Sequence, residues 1–297
     1  MKIKKNDFKL TKDKNNVLTV SPLPTDESIF NFYEKKYFQK NYGTYKNQDY
    51  SRDEINFNYF EPKIVNYFLS TKKKILDIGC GEGHDLQYFL SQKHKCYGAD
   101  IAEHGIKKHN KNLLTKIKFY SGDILKNEFF PNEKFDVIYS KNFAEHVSNY
   151  YKFLKIVNNR LKKNGLFIII VPNELNLFQG EYLKKNKIKN FKESKFFIPN
   201  EHFRYFQPSS LLKSVNSIFK KNKLISLMTT FPIEQFLLDS NTDYYKNKKF
   251  GKIAQRLRIK FTNKISEKID KKIINYMEAT AELGIGRTIF LIIKKIK

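Results

Sequence analysis

Short apolar runs alternate along this chain with stretches in which apolar residues return every third or fourth position. The runs fall at 75–78, 95–100, 117–121, 135–139, 166–171, 224–230 and 288–293. Between them, a helical pattern follows Asp85 and another starts near Ala102. Tyr151, Leu154, Val157 and Leu161 share one helix face, and 162–165 reads as that helix's stop, closed by Gly165. Leu211, Leu212, Val215, Ile218 and Phe219 form the stripe of a helix over 208–220. The run 166–171 is apolar throughout, as a parallel strand covered on both faces requires. This alternation predicts a layered α/β domain with a mainly parallel sheet.

The first run feeds a glycine-rich turn. Asp77, Gly79, Gly81 and Gly83 stand in the order D-x-G-x-G-x-G. Glycine lets backbone approach a ligand closely, and the helix that follows turns free N–H groups and a positive dipole end toward it. A dinucleotide loop has its third glycine three residues after its second; here position 84 is His, and no G-x-x-x-x-G-K-[ST] loop is present either. The turn therefore reads as a nucleotide-type cofactor site of another kind. Asp100 ends the second run about twenty residues further on, where an α/β nucleotide fold places an acid for ribose hydroxyls. The alternative role for Asp100 is to cap the helix near Ala102. Gly122-Asp123-Ile124 follows the third run, and Ser140-Lys141-Asn142-Phe143-Ala144-Glu145-His146-Val147 follows the fourth.

These segments resemble the Rossmann-like class of S-adenosylmethionine (SAM)-dependent methyltransferases, from about Tyr59 to the C-terminus. The resemblance implies a seven-stranded, mainly parallel sheet sandwiched by helices, with the last strand inserted antiparallel next to the fifth. It implies SAM as cofactor, with Asp123 accepting from the adenine amino group and Ile124 packing beside the ring. The full cofactor set it implies is Asp77, Gly79, Cys80, Gly81, Gly83, Asp100, Ile101, Asp123, Ile124, Ser140 and Asn142. The segment from Glu201-His202 to Tyr205-Phe206 is similar to one in relatives that methylate small molecules and sugars. On that likeness Asn173, Gln179, Arg204 and Tyr205 are substrate-binding candidates, and the start of the chain loosely resembles methyltransferases of bacterial surface-glycan clusters. A hydroxyl acceptor needs a base, and histidine serves near neutral pH. His146 and His202 both fall on segments of the active face, with helix capping and substrate hydrogen bonding as their respective alternatives. His84, His94, His104 and His109 read as solvent-facing, and no spacing of His, Asp and Glu forms a recognisable metal site.

Composition narrows the setting. The net charge of +26 invites a nucleic-acid reading, but six of the 56 basic residues are arginine, the better fork for phosphates and guanine edges. The excess of lysine looks like compositional background, so the expected partner is a small molecule, with anionic ones favoured by the charge. Cys80 and Cys96 form no pair motif, and no run is long enough to span a membrane. The N-terminus has no apolar signal core, and a cytoplasmic location follows as an expectation.

Three regions lie outside the minimal fold. Residues 1–58 carry Phe30, Phe32, Tyr33, Tyr37, Phe38, Tyr42, Tyr45 and Tyr50 and read either as a cap over the site or as a packing helix. Residues 59–297 then form the catalytic domain, with insertions at about 173–206 and 231–286. The second insertion predicts a helical lid, with Ile253, Leu257, Phe261, Ile265 and Ile269 as its packed stripe.

Overall fold

The structure, a computed structural model, describes residues 4–33 and 50–296. In chain order it contains β1 (Lys9–Lys12), β2 (Leu18–Ser21), α1 (Asp26–Phe32), α2 (Arg52–Asn58), α3 (Phe60–Tyr67), β3 (Lys74–Ile78) and α4 (His84–Ser91). Then follow β4 (Lys95–Asp100), α5 (His104–His109), β5 (Lys118–Ser121), β6 (Phe135–Lys141), α6 (Tyr150–Arg160), β7 (Leu161–Pro172) and α7 (Leu177–Lys185). The chain ends with β8 (Arg204–Tyr205), α8 (Pro208–Ile218), β9 (Asn222–Thr229), α9 (Lys248–Ser266), α10 (Lys271–Glu282) and β10 (Thr288–Lys295).

Seven strands form one sheet in the order β5-β4-β3-β6-β7-β10-β9. The pairs β3–β4, β3–β6, β4–β5 and β6–β7 are parallel, and β10 runs antiparallel between β7 and β9. The expected sheet and its inserted last strand are therefore present. Side chains alternate across the strands and give the sheet two apolar faces. Leu76, Tyr97, Ile138, Phe167 and Ile169 pack against Phe153, Leu154 and Val157 of α6 and Leu211 and Val215 of α8. Ile75, Val137, Ile168, Ile170 and Phe290 pack against Ile64 and Val65 of α3, Leu86 and Phe89 of α4 and Ile274 and Met277 of α10. The chain steps outward from β3 to β4 and β5, then crosses back to place β6 on the other side of β3, so a crevice opens at the carboxyl ends of β3 and β6.

Several local expectations change. The stretch 162–165 is part of β7, paired to β6 across a register shift between Phe135 and Val137, with Asn164 at positive φ. The N-terminal region and the first insertion are one substructure. Hairpin β1–β2 pairs with β8 in a second sheet, and Phe8, Val20, Phe197, Phe203 and Tyr205 form its core. In the second insertion α10 covers the sheet beside β9 and α9 packs along α2 and α3. Ile265 and Ile269 join that packing, while Ile253 and Leu257 are exposed. Tyr37, Phe38, Tyr42 and Tyr45 lie outside the described residues.

Candidate functional site

A cavity of about 290 Å³ occupies the crevice. Asp77, Gly79, Cys80, Gly81, Gly83, Asp100, Ile101, Asp123, Ile124, Asn142 and His146 all line it. The glycine turn is built as its sequence requires. Gly79 has φ +77°, and a Cβ there would lie 2.5 Å from the Phe143 ring. Gly83 caps α4 in the left-handed region, where a non-glycine residue is strained. The Gly79 N–H donates to Ala99 O at 2.8 Å, tying the turn to the end of β4.

Asp100 sits opposite. Its Oδ2 accepts from the Gly81 N–H at 2.9 Å and its Oδ1 from the Ala102 N–H at 3.1 Å. It thus holds the loop, caps the next turn and keeps further lone pairs. Burial pushes its carboxyl up to about 6, against the backbone hydrogen bonds that favour the charged form. Asp123 Oδ1 accepts from the Leu125 N–H at 2.8 Å, beside the buried Ile124. Asp77 is buried, and burial together with Asp85 holds its carboxyl well above the usual carboxylate range.

The structure also brings in residues the sequence reading passed over. Lys141, the last residue of β6, lines the cavity with its Nζ 2.6 Å from Asp85. The same carboxylate accepts from the Tyr139 hydroxyl at 2.9 Å. A lysine just beyond the fourth run, at the end of β6, was the available signal. Glu82 and His84 line the wall as well. Glu82 accepts from the Tyr50 hydroxyl at 2.6 Å and lies 3.2 Å from both His84 and His109. His84 and His109 are thus half-buried around an acid instead of solvent-facing. His94 is buried between the Lys73 N–H and Asn66.

At the other end, His146 faces the cavity with Asp26, Ile29, Tyr33, Val147 and Ser148. Its ring lies 5.0 Å from that of His202, edge to face. His202 stands behind it, outside the lining, with Nδ1 2.6 Å from Glu174 Oε1. Burial, with His202 adding to it, pushes His146 down to about 3, and burial pushes His202 down to about 4. Burial pushes the carboxyls of Glu145 and Glu174 up.

Besides His202, five expected site residues stand away from the lining. Ser140 is enclosed within β6. Asn173 donates to Gly286 O at 2.9 Å, and Gln179 accepts from the Leu175 N–H at 2.7 Å. Tyr205 accepts from the Ile198 N–H at 2.9 Å inside the small β-sheet's core. Arg204 donates to the carbonyls of Val147 and Ser148, so it holds the wall of the cavity from behind. Each of these last four is committed to backbone, and Arg204's partners, Val147 and Ser148, belong to the cavity wall.

Residues 51–221 match the family described as a methyltransferase domain, and the chain belongs to that family. An uncharacterised protein of Haemophilus influenzae is 28% identical over 167 residues, 53% of this chain and 65% of the relative. The ubiquinone biosynthesis O-methyltransferase of Pelagibacter ubique is 35% identical over 106 residues, 34% of this chain and 42% of that enzyme. The chain spans between a third and two thirds of the length of such relatives. The plantazolicin methyltransferase BpumL, solved with a triazolic analogue and SAH, superposes with a TM-score of 0.50 at 17% identity. The match covers 82% of this chain and 86% of that one and shows the shared fold. Among the described residues, no helix is long and apolar enough to cross a membrane.

Proposed function

We propose that this chain transfers the methyl group of SAM to an oxygen or nitrogen of a small molecule, with a sugar or sugar nucleotide as the preferred acceptor. The observation that carries this reading is the meeting, in one cavity, of the glycine turn, Asp100, Asp123 and His146. The residues fit the cofactor. A Cβ at Gly79 would run into Phe143, which shares the cavity wall, Asp100 can accept ribose hydroxyls, and Asp123 with Ile124 suits an adenine edge and face.

Bound there, SAM supplies a methyl on a sulfonium, already electrophilic, so the chain has to orient an acceptor in line and exclude water. With the methyl passed to it, the acceptor would give up its proton on the His146 side of the cavity. Asp26, Tyr33, His146 and Ser148 offer the hydrogen-bonding groups a hydroxylated acceptor would use. The net charge of +26 favours an anionic acceptor, such as a nucleotide-linked sugar. The similarity of the Glu201–Phe206 segment to that of sugar and small-molecule methyltransferases supports the same class. Both cysteines are free and buried, which suits a reducing cytoplasm.

Calorimetric titration with S-adenosylhomocysteine (SAH), with NAD in parallel, tests the cofactor. Saturable binding of SAH alone is expected, followed by turnover of sugar nucleotides in a methyl-transfer screen. Binding of NAD alone, or of neither, would overturn the reading.

A further inference from the structure

We propose that Glu145, His146 and His202 form a binding site for one divalent transition-metal ion at the acceptor end of the cavity. A role beside methyl transfer rests on the function proposed above; the metal site itself does not.

Proximity comes first. One donor atom from each of the three residues lies within 4.8 Å of the others. These residues come from the turn after β6 and from the loop before β8, so the fold alone assembles them.

Orientation is the second observation. His146 Nδ1 is 2.7 Å from the Glu201 carbonyl, which can only accept, so Nδ1 bears the proton and Nε2 the lone pair. His202 Nδ1 engages the Glu174 carboxyl at 2.6 Å, which leaves its Nε2 as the ligating nitrogen. A metal-bound histidine almost always gives its second nitrogen to a carboxylate, a carbonyl or water. This cluster holds one imidazole in each of the first two ways.

Glu145 is the third. It is 1% exposed, and neither carboxyl oxygen has a hydrogen-bond partner among the described residues. Its Oε1 lies 3.6 Å from His146 Nε2, too far for a hydrogen bond. Buried carboxylates are normally paired, hydrogen-bonded or bound to metal. The other cluster within 4.8 Å, Glu82 with His84 and His109, differs here, because Glu82 already accepts from Tyr50.

Two imidazoles and one carboxylate suit zinc, iron, cobalt or manganese, at bonds of about 2.0–2.2 Å after the donors close in. Of the three ligands His146 lines the cavity, so an ion held here would sit in its wall and would make an acceptor oxygen that reached it on the His146 side easier to deprotonate.

Chelator-treated full-length protein titrated with Co²⁺ alone tests the site through cobalt's visible absorption bands. One equivalent should bind and be displaced by Zn²⁺. Glu145→Gln and His202→Ala should each weaken Co²⁺ by about tenfold or more, with SAH binding retained as proof of folding. Glu174→Gln, one step out, should weaken it less. Absence of stoichiometric Co²⁺ binding by the unaltered protein would overturn the proposal. So would binding that survives Glu145→Gln and His202→Ala but is lost in His84→Gln. Co²⁺ binding without SAH binding would instead defeat the methyltransferase reading and leave the metal site standing.

Discussion

The two ends of the cavity are built on different principles. At the cofactor end, three acids each take at least one donor close to home. Asp100 accepts from Gly81 and Ala102, Asp123 from Leu125, and Asp85 from Tyr139 and Lys141. At the acceptor end, among the described residues, Glu174 keeps one orphan oxygen, as Asp85 does, but Glu145 has no hydrogen bond to either carboxyl oxygen. Backbone donors are fixed by the fold, so the first end is pre-organised for one ligand. The second end is a cluster of side chains from distant segments, and it gains by binding something more. Conserving the cofactor while varying the acceptor needs that division of labour: a rigid main-chain cradle and an adaptable side-chain wall.

Breaking the rigid end should have the largest effect. In Gly79→Ala the new methyl meets the Phe143 ring at 2.5 Å, at a φ of +77°. Strain and overpacking together should lower stability by about 2–4 kcal/mol, with loss of SAH binding. Urea unfolding reads the first and calorimetry the second. A loss under about 1 kcal/mol would mean that the turn yields, and the contrast with the acceptor end would fail.

Asp100→Ala is next. Removing a charged acceptor should weaken SAH by about 1.5–3 kcal/mol, with stability affected less than in the glycine variant. Unchanged affinity would remove Asp100 from the ribose. The same residue predicts a pH dependence. Burial lifts its carboxyl from 3.8 to about 6, so the folded state disfavours the charge. Its contribution to stability is then complete below its unfolded pKa and is lost as pH rises through about 6. Ligand affinity moves the other way, because hydroxyls bind the ionised form better. SAH affinity should therefore rise by up to about tenfold between about pH 5 and pH 7. Asp100→Asn should flatten that step, and a step that persists in it belongs to another group.

The same contrast decides what the sequence could reveal. The cofactor end lies within contiguous strand–turn–helix units, so the spacing of Asp77, Gly79, Gly81, Gly83 and Asp100 carries most of its geometry. The seven-stranded sheet was legible for the same reason, since each strand is a local run bounded by its own helix. The acceptor end was not. Leu18 pairs with Tyr205 and Phe8 packs with Phe197, contacts that no local period encodes. His146 meets His202 only because that small sheet brings the insertion over β6's end. Arg204 and Tyr205 were ligand candidates because their segment resembles one in relatives that methylate small molecules and sugars. Their groups are used on backbone instead, which sequence cannot distinguish from use on a substrate. His84 and His109 belong to different helices, and their meeting at Glu82 depends on how α4 and α5 pack.

The smallest expected effect is also the sharpest test of the comparison. Glu145→Gln keeps shape and volume but removes the ability to carry charge. The native carboxyl has no hydrogen-bond partner among the described residues, and burial pushes it toward its neutral form. The amide therefore replaces a group that contributes little, and stability should change by less than about 1 kcal/mol in either direction. Asp85→Asn, which strands the half-buried Lys141, should cost more, about 1.5–3 kcal/mol by the same assay. Were the Glu145 variant as damaging as the Asp85 variant, its carboxyl would be a structural partner like those of the cofactor end. The acceptor wall would then be as finished as the cradle it faces, with nothing left for an ion to complete.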